Sequence, residues 1–335
     1  MQPFAYVRAK DVRSAIQAAS SGPPGQAAVQ YLAGGTTLFD LMKLEVMTPG
    51  MLVDLSGLAH EFEEIVISPA GLRMGALAKM ATVAENAEIQ RQYPVITQSL
   101  LQAASPQIRN MATLGGNVLQ RTRCAYFREV DWTACNKRSP GSGCAALGGV
   151  NRKHAVLGTS EGCIATYPGD FAQALMVLDA ELMIVGTRGP RRMPIADLHR
   201  QPGATPHIET SLQPGDFIAG FAIPSGPWAR RSLYLKVRDR ASYEFAAASA
   251  AVALDLRDGV VRDVRIALGG VATAPWRARA AELALAGRRL DDHAAREAAV
   301  AAFASARTHG ANDDKPELGR RTLARALMQA VTMEL

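Results

Sequence analysis

Hydrophobic positions come in short runs along this chain, and their spacing switches between a period of two and a period near 3.6. Residues 11–20 read as a short helix stopped by Ser20-Ser21-Gly22-Pro23-Pro24-Gly25. Val29 to Leu32 reads as a strand running into Ala33-Gly34-Gly35-Thr36-Thr37, and Leu38 to Val46 resumes a helical period. Met51 to Leu55 is a second strand, and Ile65 to Ile67 pairs with Leu72 to Met74 across the turn Ser68-Pro69-Ala70-Gly71. Helical segments follow at Val83–Arg91 and Pro94–Ala104, then a polar stretch from Ser105 to Asn117. Further on, the pattern predicts a helix near 171–179 and strands at Glu181–Val185 and Phe217–Ile223, with a turn at Thr187-Arg188-Gly189-Pro190 between the strands. Beyond Ser225-Gly226-Pro227, read as a joint, Ser232–Val237, Ala246–Leu256 and Val260–Leu268 are strand-like. Asp258-Gly259 is a hairpin signal between the last two. The end of the chain is helical at 276–286, 291–306 and 319–332. Strands and helices cluster rather than alternate, which predicts an α+β fold.

At 335 residues the chain is long enough for about two domains, and 48% hydrophobic with 20% charged residues marks it as globular. Aromatics are only 6%, which weighs against a platform that stacks nucleic-acid bases. The formal charge of +6 suits an acidic cofactor as well as a polyanion. The opening MQPFAYVRAK has no apolar signal core, and the longest uncharged apolar stretch, Phe245 to Leu254, is short for a bilayer span. A soluble protein is expected, with any export depending on another chain.

Two glycine pairs carry candidate chemistry: Leu32-Ala33-Gly34-Gly35-Thr36-Thr37 and Thr113-Leu114-Gly115-Gly116-Asn117. Successive amides in such a turn form a partly positive nest suited to a pyrophosphate, and the absent Cβ lets a ligand approach. Either could equally be an ordinary tight turn. Gly141-Ser142-Gly143-Cys144-Ala145-Ala146 matches a loose dinucleotide fingerprint but follows Lys137-Arg138-Ser139-Pro140 rather than a strand, so it is set aside.

All four cysteines (Cys124, Cys135, Cys144 and Cys163) fall within 40 residues. Their spacing, x10, x8 and x18, contains no C-x-x-C pair, which argues against zinc fingers and thioredoxin-like sites. Irregularly spaced thiolates can still wrap a [4Fe–4S] cluster, whose core with four thiolates carries a charge of about −2. Seven Arg or Lys residues between Gln120 and Ala155 would offset it. A basic loop with four free thiols is the plainer alternative.

Together these segments resemble a known family. Ala33-Gly34-Gly35-Thr36 followed by Leu41-Met42-Lys43, and some 80 residues later Gln107-Ile108-Arg109-Asn110 with Thr113-Leu114-Gly115-Gly116-Asn117, resemble the FAD-binding medium subunit of molybdenum hydroxylases. The cysteine-bearing stretch is similar to that of the periplasmic aldehyde oxidase members, whose inserted loop binds an extra [4Fe–4S] cluster. The resemblance implies an FAD-binding domain of the vanillyl-alcohol-oxidase/p-cresol-methylhydroxylase type over 1–225, interrupted by an iron–sulfur insertion at about 120–165. It also implies a carbon monoxide dehydrogenase flavoprotein-type domain over 228–335. FAD would be held by Leu32, Ala33, Gly34, Gly35, Thr36, Thr37 and Leu38 on one side and by Arg109, Thr113, Gly116 and Asn117 on the other. Asp170, Ile218 and Lys236 would lie near the flavin, and the four cysteines would ligate the cluster. Asp170 could instead cap a helix, Lys236 could be a solvated strand residue, and Thr37 departs from the residue common in relatives.

The implied partners are a large molybdenum-cofactor subunit oxidising an aldehyde, a small subunit with two [2Fe–2S] clusters, and an external electron acceptor. The implied compartment is the periplasm by export with a partner, or the cytoplasm. A purine or an aromatic CoA thioester is the alternative substrate of the large subunit. A metal-stapled nucleic-acid-binding module is the alternative from another class, disfavoured because it leaves both glycine turns unexplained. The six histidines (His60, His154, His199, His207, His293 and His309) read as surface or packing groups, and no catalytic triad or carboxylate pair stands out.

Overall fold

The computed structural model describes residues 1–20 and 29–334. The expected break at Ser21 to Gly25 lies outside them. Three sheets are present among the described residues. The first is parallel, ordered β1-β3-β2, from β1 (Ala5–Arg8), β2 (Val29–Leu32) and β3 (Met51–Asp54). The second is antiparallel, ordered β4-β5-β8-β6-β7, from β4 (Ile65–Ser68), β5 (Gly71–Gly75), β6 (Glu181–Val185), β7 (Arg191–Pro194) and β8 (Phe217–Pro224). The third is antiparallel, ordered β12-β11-β10-β9, from β9 (Ser232–Val237), β10 (Ala248–Arg257), β11 (Val260–Gly269) and β12 (Trp276–Arg277).

The turn residues account for the hairpins. Gly71 at φ +136° closes β4 onto β5, and Asp258-Gly259, both at positive φ, close β10 onto β11. Residues 248–254 of β10 are buried on both faces. Ala251 and Ala253 face the core shared with the helices Pro94–Leu101 and Phe171–Val177, while Val252 and Leu254 face the helices of the C-terminal end. Alanine on the first face lets the sheet and those helices approach closely, and the apolar side chains there bind the two halves of the chain together.

Differences from the sequence reading have local causes. The polar stretch 105–117 holds two short helices, Pro106–Met111 and Leu114–Val118, started by Ser105 and Thr113, whose hydroxyls accept from Ile108 N and Gly116 N at 3.3 Å. The segment expected as one helix over Val83–Arg91 breaks in two at Asn86, which caps Ala87–Gln92. Trp276-Arg277 pairs with β11 as a strand, so the helix there begins at Arg279, and the last helix starts at Lys315 rather than 319. No helix among the described residues is long and apolar enough to cross a membrane.

Candidate functional site

The two glycine turns meet in space. A Cβ on Gly34 would collide with the Met111 carbonyl oxygen and come within 2.9 Å of Ala112 Cα, one residue before Thr113. Gly35 turns the chain at φ +71°, where an L side chain is strained. A Cβ on Gly116 would meet only Thr113 Oγ1, at 3.1 Å. Both turns line one cleft of about 820 Å³, at the upper end of the range for small-molecule and cofactor sites.

Of the expected cofactor contacts, Ala33, Gly34, Gly35, Thr36, Thr37, Leu38, Thr113, Gly116, Asn117, Asp170, Ile218 and Lys236 line this cleft. Leu32 and Arg109 do not. Leu32 is buried with Met42 and Leu52. Arg109 donates from Nη1 to the carbonyls of Leu101 (3.2 Å) and Ala103 (2.9 Å) at the end of the preceding helix. Thr37 stands at the N-cap of Leu38–Lys43 without a side-chain capping bond. Ile218 sits beside a bulge in β8, where the register against β6 shifts; such irregularities re-aim side chains beside binding sites.

Asp170 and Lys236, expected as separate contacts, find each other. Lys236 Nζ donates to Asp170 Oδ2 at 2.8 Å and to the Gln102 carbonyl at 3.0 Å, and both side chains are almost fully buried. Tyr234 donates its hydroxyl to the other carboxylate oxygen. Burial pushes the Asp170 carboxyl up, and the Lys236 ammonium pulls it back. Asp170 does occupy the N-cap position before Phe171, but its side chain makes no capping bond; Lys236 is not a solvated strand residue.

Two histidines carry more than packing. His199 Nε2 donates to the Val118 carbonyl at 2.8 Å, and Tyr167 donates its hydroxyl to the same oxygen at 3.0 Å, with the two rings edge-on at 4.7 Å. Together they anchor the end of the helix that begins at the second glycine turn. Burial lowers the His199 ring to about 4. His154 Nε2 lies 3.1 Å from Cys124 Sγ, and burial likewise lowers its ring to about 4. No sequence motif marks either residue.

Cys124, Cys135, Cys144 and Cys163 are all free thiols, and all four line a second, smaller cavity. Backbone pairing draws them in: Cys135 bridges Cys144, and Ser160 bridges Cys163. Burial pushes the Cys124 thiol up to about 12 and raises Cys163, with Lys137 opposing the second shift. A metal binds cysteine as the thiolate, so ligation releases the thiol proton. No group of His, Cys, Asp or Glu among the described residues is arranged to hold a single metal ion. Four thiols around one cavity match the number of ligands that a [4Fe–4S] cluster takes.

The seven cations of this loop are engaged within the protein. Arg121 and Lys137 pair with Glu209, Arg123 and Arg128 with Asp40, Arg152 with Asp239, and Lys153 with Asp239 and Glu244. Arg138 donates to the carbonyls of Tyr126 and Phe127 at 2.9 Å. That engagement weakens the nucleic-acid alternative, which needed them free for phosphates.

Residues 2–226 match the family described as the FAD binding domain in molybdopterin dehydrogenase. This chain belongs to the FAD-binding medium subunits of the molybdenum hydroxylases. Residues 233–335 of this medium subunit match the C-terminal domain of the CO dehydrogenase flavoprotein. The subunit is 44% identical to the aldehyde oxidoreductase FAD-binding subunit PaoB of Escherichia coli K12, over 98% of this chain and 99% of that one. It is 28% identical to the carbon monoxide dehydrogenase medium chain of Afipia carboxidovorans, over 97% and 93%. The solved carbon monoxide dehydrogenase of Hydrogenophaga pseudoflava shares the fold, with a TM-score of 0.75 at 24% identity and 98% coverage of both chains. The medium subunit is thus an electron-transfer component of a multi-subunit oxidoreductase, and its FAD-binding domain contains both glycine turns.

Proposed function

We propose that this chain is the FAD- and [4Fe–4S]-carrying subunit of a three-subunit molybdoenzyme that oxidises aldehydes to carboxylic acids. The convergence of both glycine turns on one cleft, with four thiols facing a cavity in the loop that forms part of its wall, carries this reading. Identity of 44% along nearly the whole chain to a subunit named for aldehyde oxidoreduction supports the substrate class. The partners are a large subunit with the molybdenum cofactor, a small subunit with two [2Fe–2S] clusters, and an external acceptor. Bound FAD supplies the redox chemistry.

The chain's own residues bind and orient. The amides of Ala33 to Leu38 and of Thr113 present donors to a diphosphate, with Thr36, Thr37 and Thr113 adding hydroxyls, while the amides of Leu114 to Asn117 are taken up by Ala78, Ala76 and Thr113 and hold the second turn in shape. Ile218 offers backbone and an apolar side chain to the ring, and the buried Asp170–Lys236 pair adds a fixed dipole to the cleft lining. No general acid or base is required of this subunit. Cys124, Cys135, Cys144 and Cys163 hold the cluster, and His154 Nε2 is within hydrogen-bond reach of the first of them.

The test is flavin, iron and sulfide quantitation on the complex purified without oxygen, followed by assays on aldehydes and purines. About one FAD, and about four irons and four sulfides beyond those of the small subunit, are expected, with turnover of aldehydes. Absence of flavin refutes the cofactor reading, absence of the extra iron refutes the cluster, and turnover confined to purines refutes the substrate class.

A further inference from the structure

The thiol-bearing loop is also a wall of the flavin cleft, and one acidic residue ties the two together. Asp40 lies in the helix Leu38–Lys43, directly after the first glycine turn, and itself lines the cleft. Its Oδ2 accepts from Arg123 Nη1 at 2.8 Å and Arg128 Nη1 at 2.6 Å, and its Oδ1 accepts from Arg128 Nη2 at 3.0 Å. These arginines flank Cys124 in sequence and also line the cleft. One residue on, Leu41 is buried against Phe127 and Cys135. The same helix therefore carries the glycine turn at its start and the thiol loop on its side. Partly buried, charge-assisted and bidentate pairs of this kind fix geometry as well as charge.

We propose that Asp40 is a positioning residue that couples the metal state of the thiol loop to retention of FAD. An ordered, metal-loaded loop holds Arg123 and Arg128 in place; they hold Asp40, and Asp40 holds the helix whose first residues cradle the diphosphate. Linkage makes the effect reciprocal, so bound FAD also favours metal retention by the same factor. The inference rests on the cleft as the FAD site and on the four cysteines as cluster ligands.

The sign of one substitution separates positioning from plain electrostatics. Asp40→Asn removes a negative charge from a cleft that takes a dianionic diphosphate, so Coulomb's law alone predicts tighter FAD binding. Positioning predicts weaker binding, by about tenfold, within the usual range of coupling between sites. The experiment measures FAD affinity by flavin fluorescence on the purified complex, wild type and Asp40→Asn, each iron-replete and after chelation under reducing conditions. Circular dichroism checks that each sample is folded.

Chelation should weaken FAD binding in the wild type, Asp40→Asn should keep its iron yet bind FAD more weakly, and chelation should then add little further loss. Unchanged or tighter FAD binding in iron-replete Asp40→Asn overturns the role of Asp40. Equal weakening by chelation in both proteins overturns the route through it. A complex that never carried the extra iron and sulfide overturns the thiol-ligand reading and the linkage with it, while leaving the flavin site standing.

Discussion

Gly34→Ala tests whether the packed glycine turns are the cofactor cradle. A methyl group there meets backbone rather than a movable side chain, namely the Met111 carbonyl and, at 2.9 Å, Ala112 Cα. Gly34 is not among the residues at positive φ, so the cost is steric rather than conformational. Overpacking costs about 1–3 kcal/mol, and a rigid backbone contact sits toward the upper part of that range. If the strain is relieved by separating the turns, the loss falls on FAD binding, where about 1.4 kcal/mol is tenfold in affinity. A weakening between about thirtyfold and about 140-fold is therefore expected from flavin fluorescence titration of deflavinated protein. Gly148→Ala is the control: it lies in the thiol loop, has no atom within 4 Å of the added Cβ and has no positive φ, so it should change little. Wild-type FAD affinity in a folded Gly34→Ala protein would refute the cradle, as would a fall in stability with affinity unchanged.

Other expectations follow from the buried groups. Lys236→Met leaves the Asp170 carboxylate buried without its cation and should cost about 3–5 kcal/mol in urea unfolding; Asp170→Asn in the same chain should recover part of the loss. Burial holds His199 at about 4 against an ordinary 6.5, so the unfolded chain takes up this proton first as pH falls. Stability should therefore drop between pH 6.5 and 4, by up to roughly 3 kcal/mol from this group, and the drop should shrink in His199→Phe, read by denaturant midpoints across pH. Cys144→Ser should lose the extra iron and sulfide in colorimetric assays while the small-subunit clusters remain. Free FAD at about a hundred times its dissociation constant should stabilise the deflavinated protein by about 2.7 kcal/mol, measured as a rise in melting temperature that Gly34→Ala blunts.

Local chemistry made much of the site legible. Gly35 and Gly71 adopt backbone angles that other residues resist, so glycine at those positions already announces turns. In the third sheet, Asp258-Gly259 is the turn that the pairing of β10 with β11 requires. Short helices at 106–111 and 114–118 escaped because they bury too few apolar residues to show a period, although Ser105-Pro106 and Thr113 carry the cap chemistry that starts them. Arg109 shows what a motif leaves open: it belongs to the family signature, and its side chain closes a neighbouring helix end.

The residue order alone set the turns, the strand periods and four thiols in one loop, because each depends on a few adjacent residues and their own φ, ψ or polarity. Only the tertiary structure brought the glycine turns together and joined Asp170 to Lys236 and Asp40 to Arg128, pairs 66 and 88 residues apart. A carboxylate has no sequence mark that names its distant partner. The path of the chain decides which charges are desolvated side by side, and burial then makes their pairing obligatory.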